Sequence, residues 1–189
     1  MMQHFYNFYA LYLHKLKIIY PMKKILAASV IAIFILSSCL KKDNKCNFSD
    51  STIIASDSEK VALADSLQAH NITNATMHPS GFYYSISNPG TGPGVSNLCS
   101  NITVSYKGSF FNGQIFDSTV AGTTAYFQLG EVIPGWQKGI ALVKSGGDIN
   151  LYIPPSLAYG ATDIKDQSGA IIVPANSYLV FVFHVNAIQ

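Results

Sequence analysis

The stretch YLVFVFHV, Tyr178 to Val185, is apolar or aromatic at every position but one. A short run that is apolar on both faces and rich in branched and aromatic residues is typical of a central β-strand. Further strands are predicted before it, at 81–87, 101–108, 125–129 and 148–154, and apolar residues alternate along 101–108 and 148–154. Glycine and proline clusters such as NPGTGPG mark turns between strands. The pattern predicts an α+β domain with a curved antiparallel sheet.

Two helices are predicted alongside these strands. Ser56 and Glu59 have the spacing of a capping box, in which each side chain bonds the other residue's backbone N–H, and apolar residues follow at helical intervals. We therefore expect a helix over about 57–70. A second, short helix is expected after the turn GEVIPGW, which ends at Trp136, the only tryptophan of the chain.

The amino-terminal segment carries a targeting signal. From Met22 to Cys39 the chain reads MKKILAASVIAIFILSSC, with two lysines, an apolar run of about 12 residues, small residues and a cysteine. The apolar run is too short for a membrane-spanning helix, and its ending resembles the bacterial lipobox, whose cysteine is lipidated. We expect Cys39 to anchor the protein to a membrane. The alternative is an ordinary secretory signal with a coincidental cysteine.

These features divide the chain into four parts. We predict a leader and signal peptide at 1–38 with its true start at Met22, a lipid-anchored tether at 39–55, a helical extension at 56–80 and the main domain at 81–189. Two cysteines remain besides the one in the signal, Cys46 and Cys99. Beyond the inner membrane thiols can oxidise, so these two could form one bridge or could both stay free.

Composition excludes several classes of function. All 12 basic residues are lysines, and from Cys39 onward eight lysines face ten acidic residues. Arginine is the usual residue for phosphate and base-edge contacts, so no nucleic-acid partner is expected. The sequence has no phosphate-binding loop, no G-x-S-x-G turn and no metal-ligand spacing of His or Cys, so neither metal nor cofactor is expected. We interpret His184, within the last strand, as structural.

Aromatic and branched apolar residues accumulate beside the predicted turns. Taken alone, they fit either an ordinary core or the lining of an apolar cavity. They are Tyr106, Phe116, Phe127, Val132, Ile133, Trp136, Tyr159, Ile172 and Phe181, and Asp117 directly follows Phe116.

Four segments of the chain carry a specific pattern. In chain order they are VSYKGSFFNGQIFDST (104–119), FQLGEVIPGWQKGI (127–140), IPPSLAYG (153–160) and VPANSYLVFVFHV (173–185). Together, over about 85 residues, they resemble the FKBP-type peptidyl-prolyl isomerase family, which has V-x-Y-x-G, F-D-S, V-I-x-G-W, L-A-Y-G and a closing strand in the same order. The resemblance implies a curved antiparallel sheet of about five strands wrapped around one short helix.

The resemblance also implies an apolar proline pocket between sheet and helix. Trp136 would form the floor, and the other substrate-binding residues would be Tyr106, Phe116, Val132 and Phe181 in the walls and Ile172 and Val173 in a flap. The catalytic contributions would come from Asp117 beside the twisting amide, the Tyr159 hydroxyl and the Ile133 backbone N–H. The chain departs from the family at Ala125, where an aromatic residue is usual, which bears on substrate preference and macrolide affinity.

We therefore predict a peptidyl-prolyl cis-trans isomerase that acts on proline-containing unfolded or exported polypeptides. It would be lipid-anchored in the bacterial envelope, on the periplasmic side or in the outer membrane, and could also bind the family's macrolide inhibitors. X-Pro isomerisation is slow enough to limit folding, which gives such an enzyme a purpose there. The alternatives are a non-catalytic binding module of the same fold and a chaperone that holds unfolded chains.

Overall fold

The computed structural model describes residues 45–189, so the predicted leader, the signal peptide and Cys39 lie outside the described residues. This part of the chain contains helices α1 (Asp57–Ala69) and α2 (Pro134–Ile140) and 3₁₀ turns at Leu129–Glu131 and Pro155–Leu157. The strands are β1 (Thr76–Met77), β2 (Tyr83–Asn88), β3 (Asn101–Phe110), β4 (Ile115–Ser118), β5 (Ala125–Gln128), β6 (Gly147–Ile153), β7 (Ile164–Lys165), β8 (Ile171–Val173) and β9 (Leu179–Ile188).

Seven of these strands form one antiparallel sheet in the order β1-β2-β6-β9-β3-β4, with β5 also paired to β3. Strands β4 and β5 share one edge of β3, opposite the edge that pairs with β9. The other two strands, β7 and β8, form a separate ribbon. The predicted α+β class and antiparallel sheet are confirmed. The sheet has seven strands where about five were expected, and the short strands β1, β4 and β5 lie along its edges beside β2, β3, β6 and β9.

Strand β9 is central, as its sequence predicted, and lies between β6 and β3. Burial alternates along it despite the apolar sequence. Phe181 and Phe183 are buried in the core, whereas Val182 on the opposite face is 41% exposed. On that outer face the His184 Nδ1 lies 2.7 Å from a carboxylate oxygen of Asp148 on β6. His184 therefore pairs across the sheet surface, away from the core.

Helix α2 packs closely on the core face of the sheet because two of its glycines face β6. A Cβ added at Gly135 would lie 2.7 Å from Ile153, and one added at Gly139 would lie 2.5 Å from Leu151. Any larger residue at either position would therefore overlap the strand. This close approach buries Trp136, which is 6% exposed, between helix and sheet.

Helix α1 packs on the other face of the sheet. Its predicted capping box is confirmed, since the Glu59 N–H donates to Ser56 Oγ at 3.2 Å and the Ser56 N–H donates to Glu59 Oε2 at 2.9 Å. Leu63 and Leu67 are buried against Tyr152 in a second apolar cluster. Alternation along β6 turns Tyr152 away from the main core, so α1 covers the outer face at this end of the strand.

A disulfide bond joins Cys46 to Cys99 across 53 positions of sequence. The sequence left open whether these two cysteines are bridged or free, and in the structure they are bridged. The bond ties the beginning of the described chain to the loop before β3. We call residues 46–55, which run from this bond to the start of the capping box, the strap.

The strap lies against the domain. Lys138 on α2 donates from Nζ to the Ser51 carbonyl oxygen at 2.7 Å. Ala55 is buried, and its N–H donates to the Ser80 carbonyl oxygen at 2.9 Å. The bridge and these contacts thus hold residues 46–55, the second half of the expected tether, against the domain, although this segment has no helix or strand. Within residues 45–189, no helix is long and apolar enough to cross a membrane.

Candidate active site

A cavity of about 230 Å³ opens between α2 and the sheet. Strands β3, β4, β5 and β9 contribute side chains on one side, and the corner before α2 and the turn after β6 contribute the rest. Its lining residues are Tyr106, Asp117, Phe127, Glu131, Val132, Ile133, Trp136, Tyr159 and Phe181.

Trp136 lies at the centre of the aromatic residues around this cavity. Its ring is edge-on to four others, with centroid distances of 5.1 Å to Tyr106, 5.6 Å to Phe127, 5.0 Å to Phe181 and 4.6 Å to Phe183. Edge-to-face packing of this kind fixes ring orientation as well as burying apolar area. Its Nε1 has no hydrogen-bond partner within residues 45–189. The four edge-on contacts therefore hold the indole in one orientation beneath the cavity.

The corner GEVIPGW forms the rim on the helix side. Ile133 is the N-cap of α2 and Pro134 is the first helical residue, a position that needs no N–H donor. The Ile133 carbonyl accepts from the N–H groups of Trp136 at 2.9 Å and Gln137 at 3.2 Å. Its own N–H donates to no residue in 45–189. An unpaired donor is thus available beside an apolar cavity.

The polar side of the cavity is built by Tyr106 and Asp117. The Tyr106 hydroxyl donates to Asp117 Oδ2 at 2.5 Å, which fixes the carboxylate at the cavity. Gly108 is the cross-strand partner of Asp117, and a Cβ there would lie only 2.8 Å from ring atoms of Phe116 and Phe181. The glycine therefore lets these two rings pack beside the carboxylate.

Both tyrosine hydroxyls at the cavity stay protonated at neutral pH. Burial raises the pKa of Tyr106, and its hydrogen bond to the Asp117 carboxylate raises that pKa further. Burial also raises the pKa of Tyr159, and the charge of Asp117 adds to the effect. The Tyr106 proton is committed to Asp117, whereas Tyr159 brings a second hydroxyl to the cavity wall.

The structure brings together seven of the ten residues that the sequence assigned to the pocket: Tyr106, Asp117, Val132, Ile133, Trp136, Tyr159 and Phe181. Phe116 is not in the lining but packs edge-on against Phe181, with ring centroids 5.6 Å apart. It therefore contacts the cavity wall through Phe181. Phe127 and Glu131 line the cavity without having been assigned to the site. The alternation in AYFQL places Phe127 on the core side, whereas no sequence signal pointed to Glu131.

The expected flap residues lie elsewhere. Val173 is 1% exposed and belongs to the main core, where β8 pairs it with Ile164. Ile172 lines a different cavity of about 490 Å³, together with Phe110 and Tyr178. Neither Ile172 nor Val173 is among the residues that line the cavity of about 230 Å³. Val173 pairs with Ile164 in the β7–β8 ribbon and its side chain enters the core. Side chains alternate along a strand, so Ile172 faces the other side.

The described residues offer no metal centre. Within 45–189 no group of three or more His, Cys, Asp or Glu side chains could hold a metal ion. The cavity presents an aromatic floor, the Asp117 carboxylate fixed by Tyr106, the Glu131 carboxylate, the Tyr159 hydroxyl and the unpaired Ile133 N–H. Such an arrangement can bind a small apolar ring and hydrogen-bond the polar chain attached to it.

Comparison with known proteins indicates the family to which the chain belongs. Residues 95–186 match the family model described as FKBP-type peptidyl-prolyl cis-trans isomerase. The crystal structure of AtFKBP13 is 31% identical, with a TM-score of 0.55, over 61% of this chain and 98% of that one. The crystal structure of FkpA from Escherichia coli, 24% identical with a TM-score of 0.55, covers 99% of this chain and 81% of that one and is similar in fold.

Curated relatives match the same region. The FKBP-type peptidyl-prolyl cis-trans isomerase FkpA of Escherichia coli (strain K12) is 38% identical over 102 residues, covering 53% of this chain and 35% of the relative. The outer membrane protein MIP of Legionella longbeachae is 39% identical over 114 residues, covering 59% of this chain and 46% of the relative. The chain thus spans less than half the length of these relatives.

Proposed function

Because this chain belongs to the FKBP-type peptidyl-prolyl cis-trans isomerase family, we propose that its cavity binds a proline ring and accelerates rotation about the preceding peptide bond. The observation that carries the proposal is the convergence of Trp136, Asp117 and Tyr159 on one cavity. Relatives such as FkpA are described as isomerases and do not favour the alternative of a non-catalytic binding module.

The reaction needs no nucleophile, because its barrier comes from amide resonance. Rotation through the perpendicular geometry breaks that resonance, at a cost of about 18–20 kcal/mol in water. The planar amide is more polar than the twisted one, so water stabilises it more. A dry aromatic cavity removes this advantage and thereby favours the twisted state relative to the planar one.

The Ile133 N–H, the Tyr159 hydroxyl and the Asp117 carboxylate then have distinct roles. The Ile133 N–H and the Tyr159 hydroxyl would donate to backbone carbonyls of the substrate and hold the chain on either side of the rotating bond. Asp117, oriented by Tyr106, would lie beside the amide. A fixed carboxylate disfavours the planar form, whose carbonyl oxygen carries more negative charge, and so lowers the barrier from the ground-state side.

The magnitudes decide which effect dominates. An acceleration of about 10⁵-fold corresponds to about 7 kcal/mol of barrier. One hydrogen bond to substrate contributes only about 1 kcal/mol. The larger part must therefore come from desolvation, shape and the fixed charge, which the Trp136 floor and Asp117 supply.

The activity is tested by following cis–trans exchange of an X-Pro peptide, by protease coupling or NMR. We expect the wild-type protein to exceed the uncatalysed rate by orders of magnitude. Tyr159→Phe should lower kcat/KM about fivefold, because it removes one hydrogen bond of about 1 kcal/mol. Asp117→Ala should lower it further by removing the fixed charge.

Tyr126→Phe is the matched control, because Tyr126 is 63% exposed on β5 and does not line the cavity. Its activity should equal that of the wild type. A wild-type rate no higher than the uncatalysed rate would refute the isomerase. Macrolides that inhibit the family are proposed to occupy the same cavity, so they should compete with the peptide for the wild-type protein.

The cellular location of the protein and the polypeptides that it acts on are a second part of the proposal. We propose that lipidated Cys39 anchors the enzyme in the bacterial envelope, where it assists folding of exported polypeptides that contain proline. Support comes from the lipobox-like sequence ending at Cys39 and from the similarity to a protein named as an outer membrane protein. Slow X-Pro isomerisation would otherwise delay the folding of such clients.

Fractionation of cells tests the anchor. Cys39→Ser should move the protein from the membrane fraction to the soluble fraction. Ser38→Ala is the control, since it changes the neighbouring small residue and leaves the acceptor thiol in place. Membrane retention of Cys39→Ser, equal to that of the control, would contradict lipid anchoring.

A further inference from the structure

A carboxylate outside the region that matches the family contacts a loop of the candidate active site. Glu59, in the first turn of α1, accepts through Oε1 from the Ser156 N–H at 2.8 Å, while Oε2 accepts from the Ser56 N–H. Ser156 belongs to the 3₁₀ turn Pro155–Leu157 that leads into Tyr159. The contact joins residues 97 positions apart in the chain.

The Ser156 N–H is the first backbone donor that this turn offers. Pro154 and Pro155 precede it, and proline has no N–H. The Pro155 carbonyl in turn accepts from the N–H groups of Ala158 at 2.9 Å and Gly160 at 2.8 Å. These two bonds flank Tyr159 on both sides. A displacement of the turn therefore displaces the tyrosine.

Glu59 is itself held rigidly. The capping box fixes its backbone to Ser56, and Leu63 and Leu67 anchor the following turns of the helix against Tyr152. Burial by itself would raise the pKa of Glu59, but the backbone N–H donors of Ser56 and Ser156 outweigh it and hold the pKa below the usual value. Glu59 is thus an ionised acceptor at neutral pH, which strengthens its bond to the turn.

We infer that Glu59 is a positioning residue for the isomerase, which acts through the Ser156 N–H to hold the Tyr159 hydroxyl at the cavity. The inference rests on the proposed function. It gives helix α1 a role in the reaction in addition to covering the sheet. Glu59 does not line the cavity, so any effect on the reaction passes through the turn.

A double-mutant cycle with the X-Pro peptide tests the inference. Glu59→Ala should lower kcat/KM by a factor no larger than the roughly fivefold loss expected for Tyr159→Phe. When Tyr159 is already phenylalanine, Glu59→Ala should cause no further loss. Glu59→Gln should recover most of the activity, because its one amide oxygen can still accept from Ser156.

Ser56→Ala is the matched control. It removes the other half of the capping box and weakens the same helix end, but it leaves the Glu59–Ser156 contact in place. Its loss of kcat/KM should be smaller than that of Glu59→Ala, because Glu59 keeps its bond to the Ser156 N–H. Where Glu59→Ala does not fold, Glu59→Asp replaces it, since the shorter side chain keeps the charge and loses the reach to Ser156.

The possible outcomes distinguish the positioning role of Glu59 from the proposed isomerase activity. An active wild type with unchanged Glu59→Ala, an equal loss in Ser56→Ala, or a further loss in the Tyr159→Phe background would each overturn the positioning role alone. An inactive wild type would overturn the proposed function and the positioning role together. Coupling to Tyr159 with rescue by glutamine would support both.

Discussion

Removing the Cys46–Cys99 bond should lower the free energy of unfolding by up to about 4 kcal/mol. The bond closes a loop with a sequence separation of 53, and the chain-entropy model gives about 4 kcal/mol for a loop of that length. Domains of this size are commonly stable by only about 5–15 kcal/mol. The bond is therefore a major part of the total, and its loss should lower Tm by about 10 °C.

The loss of about 4 kcal/mol in the free energy of unfolding is an upper limit, because the strap can move once the bond is broken. Apart from the bond, the strap is held by few contacts, among them the Lys138 bond to the Ser51 carbonyl and the Phe48 ring over Gly130. Once the bond is broken, the strap can detach while the sheet remains folded. The folded state then regains some chain entropy, which offsets part of the loss.

Urea unfolding followed by Trp136 fluorescence measures the effect, with and without a thiol reductant. Reduction should lower the midpoint and raise the m-value, since an unfolded chain without the bond exposes more surface. The Cys46→Ser, Cys99→Ser double variant is the control and should match the reduced protein in either condition. A reduced protein within about 1 kcal/mol of the oxidised one would refute the argument from loop entropy.

Three further predictions follow from the core and the cavity. Gly139→Ala should destabilise the protein by about 1–3 kcal/mol through overlap with Leu151, despite the better helix propensity of alanine; unchanged stability in urea would contradict the close packing. The raised pKa of Tyr106 means that its neutral hydroxyl stabilises the fold below about pH 10 and that this contribution is lost above it. Between pH 8 and pH 11 the free energy of unfolding should therefore fall more for the wild type than for Tyr106→Phe. Equal falls in the two proteins would contradict the stabilising role of the Tyr106 hydroxyl. Binding of a proline peptide should change the fluorescence of Trp136, the only indole in the chain; an unchanged spectrum at saturating peptide would place the ligand elsewhere.

Sequence patterns predicted the structure correctly where contacts between near neighbours in the chain determine it. The capping box of Ser56 and Glu59 depends on residues three apart, and its hydrogen bonds formed as predicted. Alternation along β6 likewise predicted which residues enter the core, because side chains of a strand alternate between faces. The position of Trp136 beneath the cavity followed from the resemblance of its flanking segments and agrees with the structure.

Sequence patterns did not determine the structure where pairing partners or distant contacts decide it. Strands β7 and β8 have two and three residues, too few for alternation to fix which face Ile172 and Val173 adopt. The disulfide depended on whether two distant Cα atoms approach, here to 5.6 Å, which two cysteines in a sequence do not reveal. The strap was polar and without period, so its attachment to the domain left no sequence signal.

The segment before residue 81 is more than an attachment to the family domain. Ala55 and Ser80 are bonded across the expected boundary, and a Cβ at Gly81 would lie 2.7 Å from the Ala55 Cβ. The strap contacts the turn before α2, and Glu59 contacts the turn before Tyr159, so both segments that carry the cavity rim are supported from outside the region that matches the family. A disulfide bond ties the strap and Glu59 acts as an ionised carboxylate, so we expect a thiol reductant or acid to weaken these two supports.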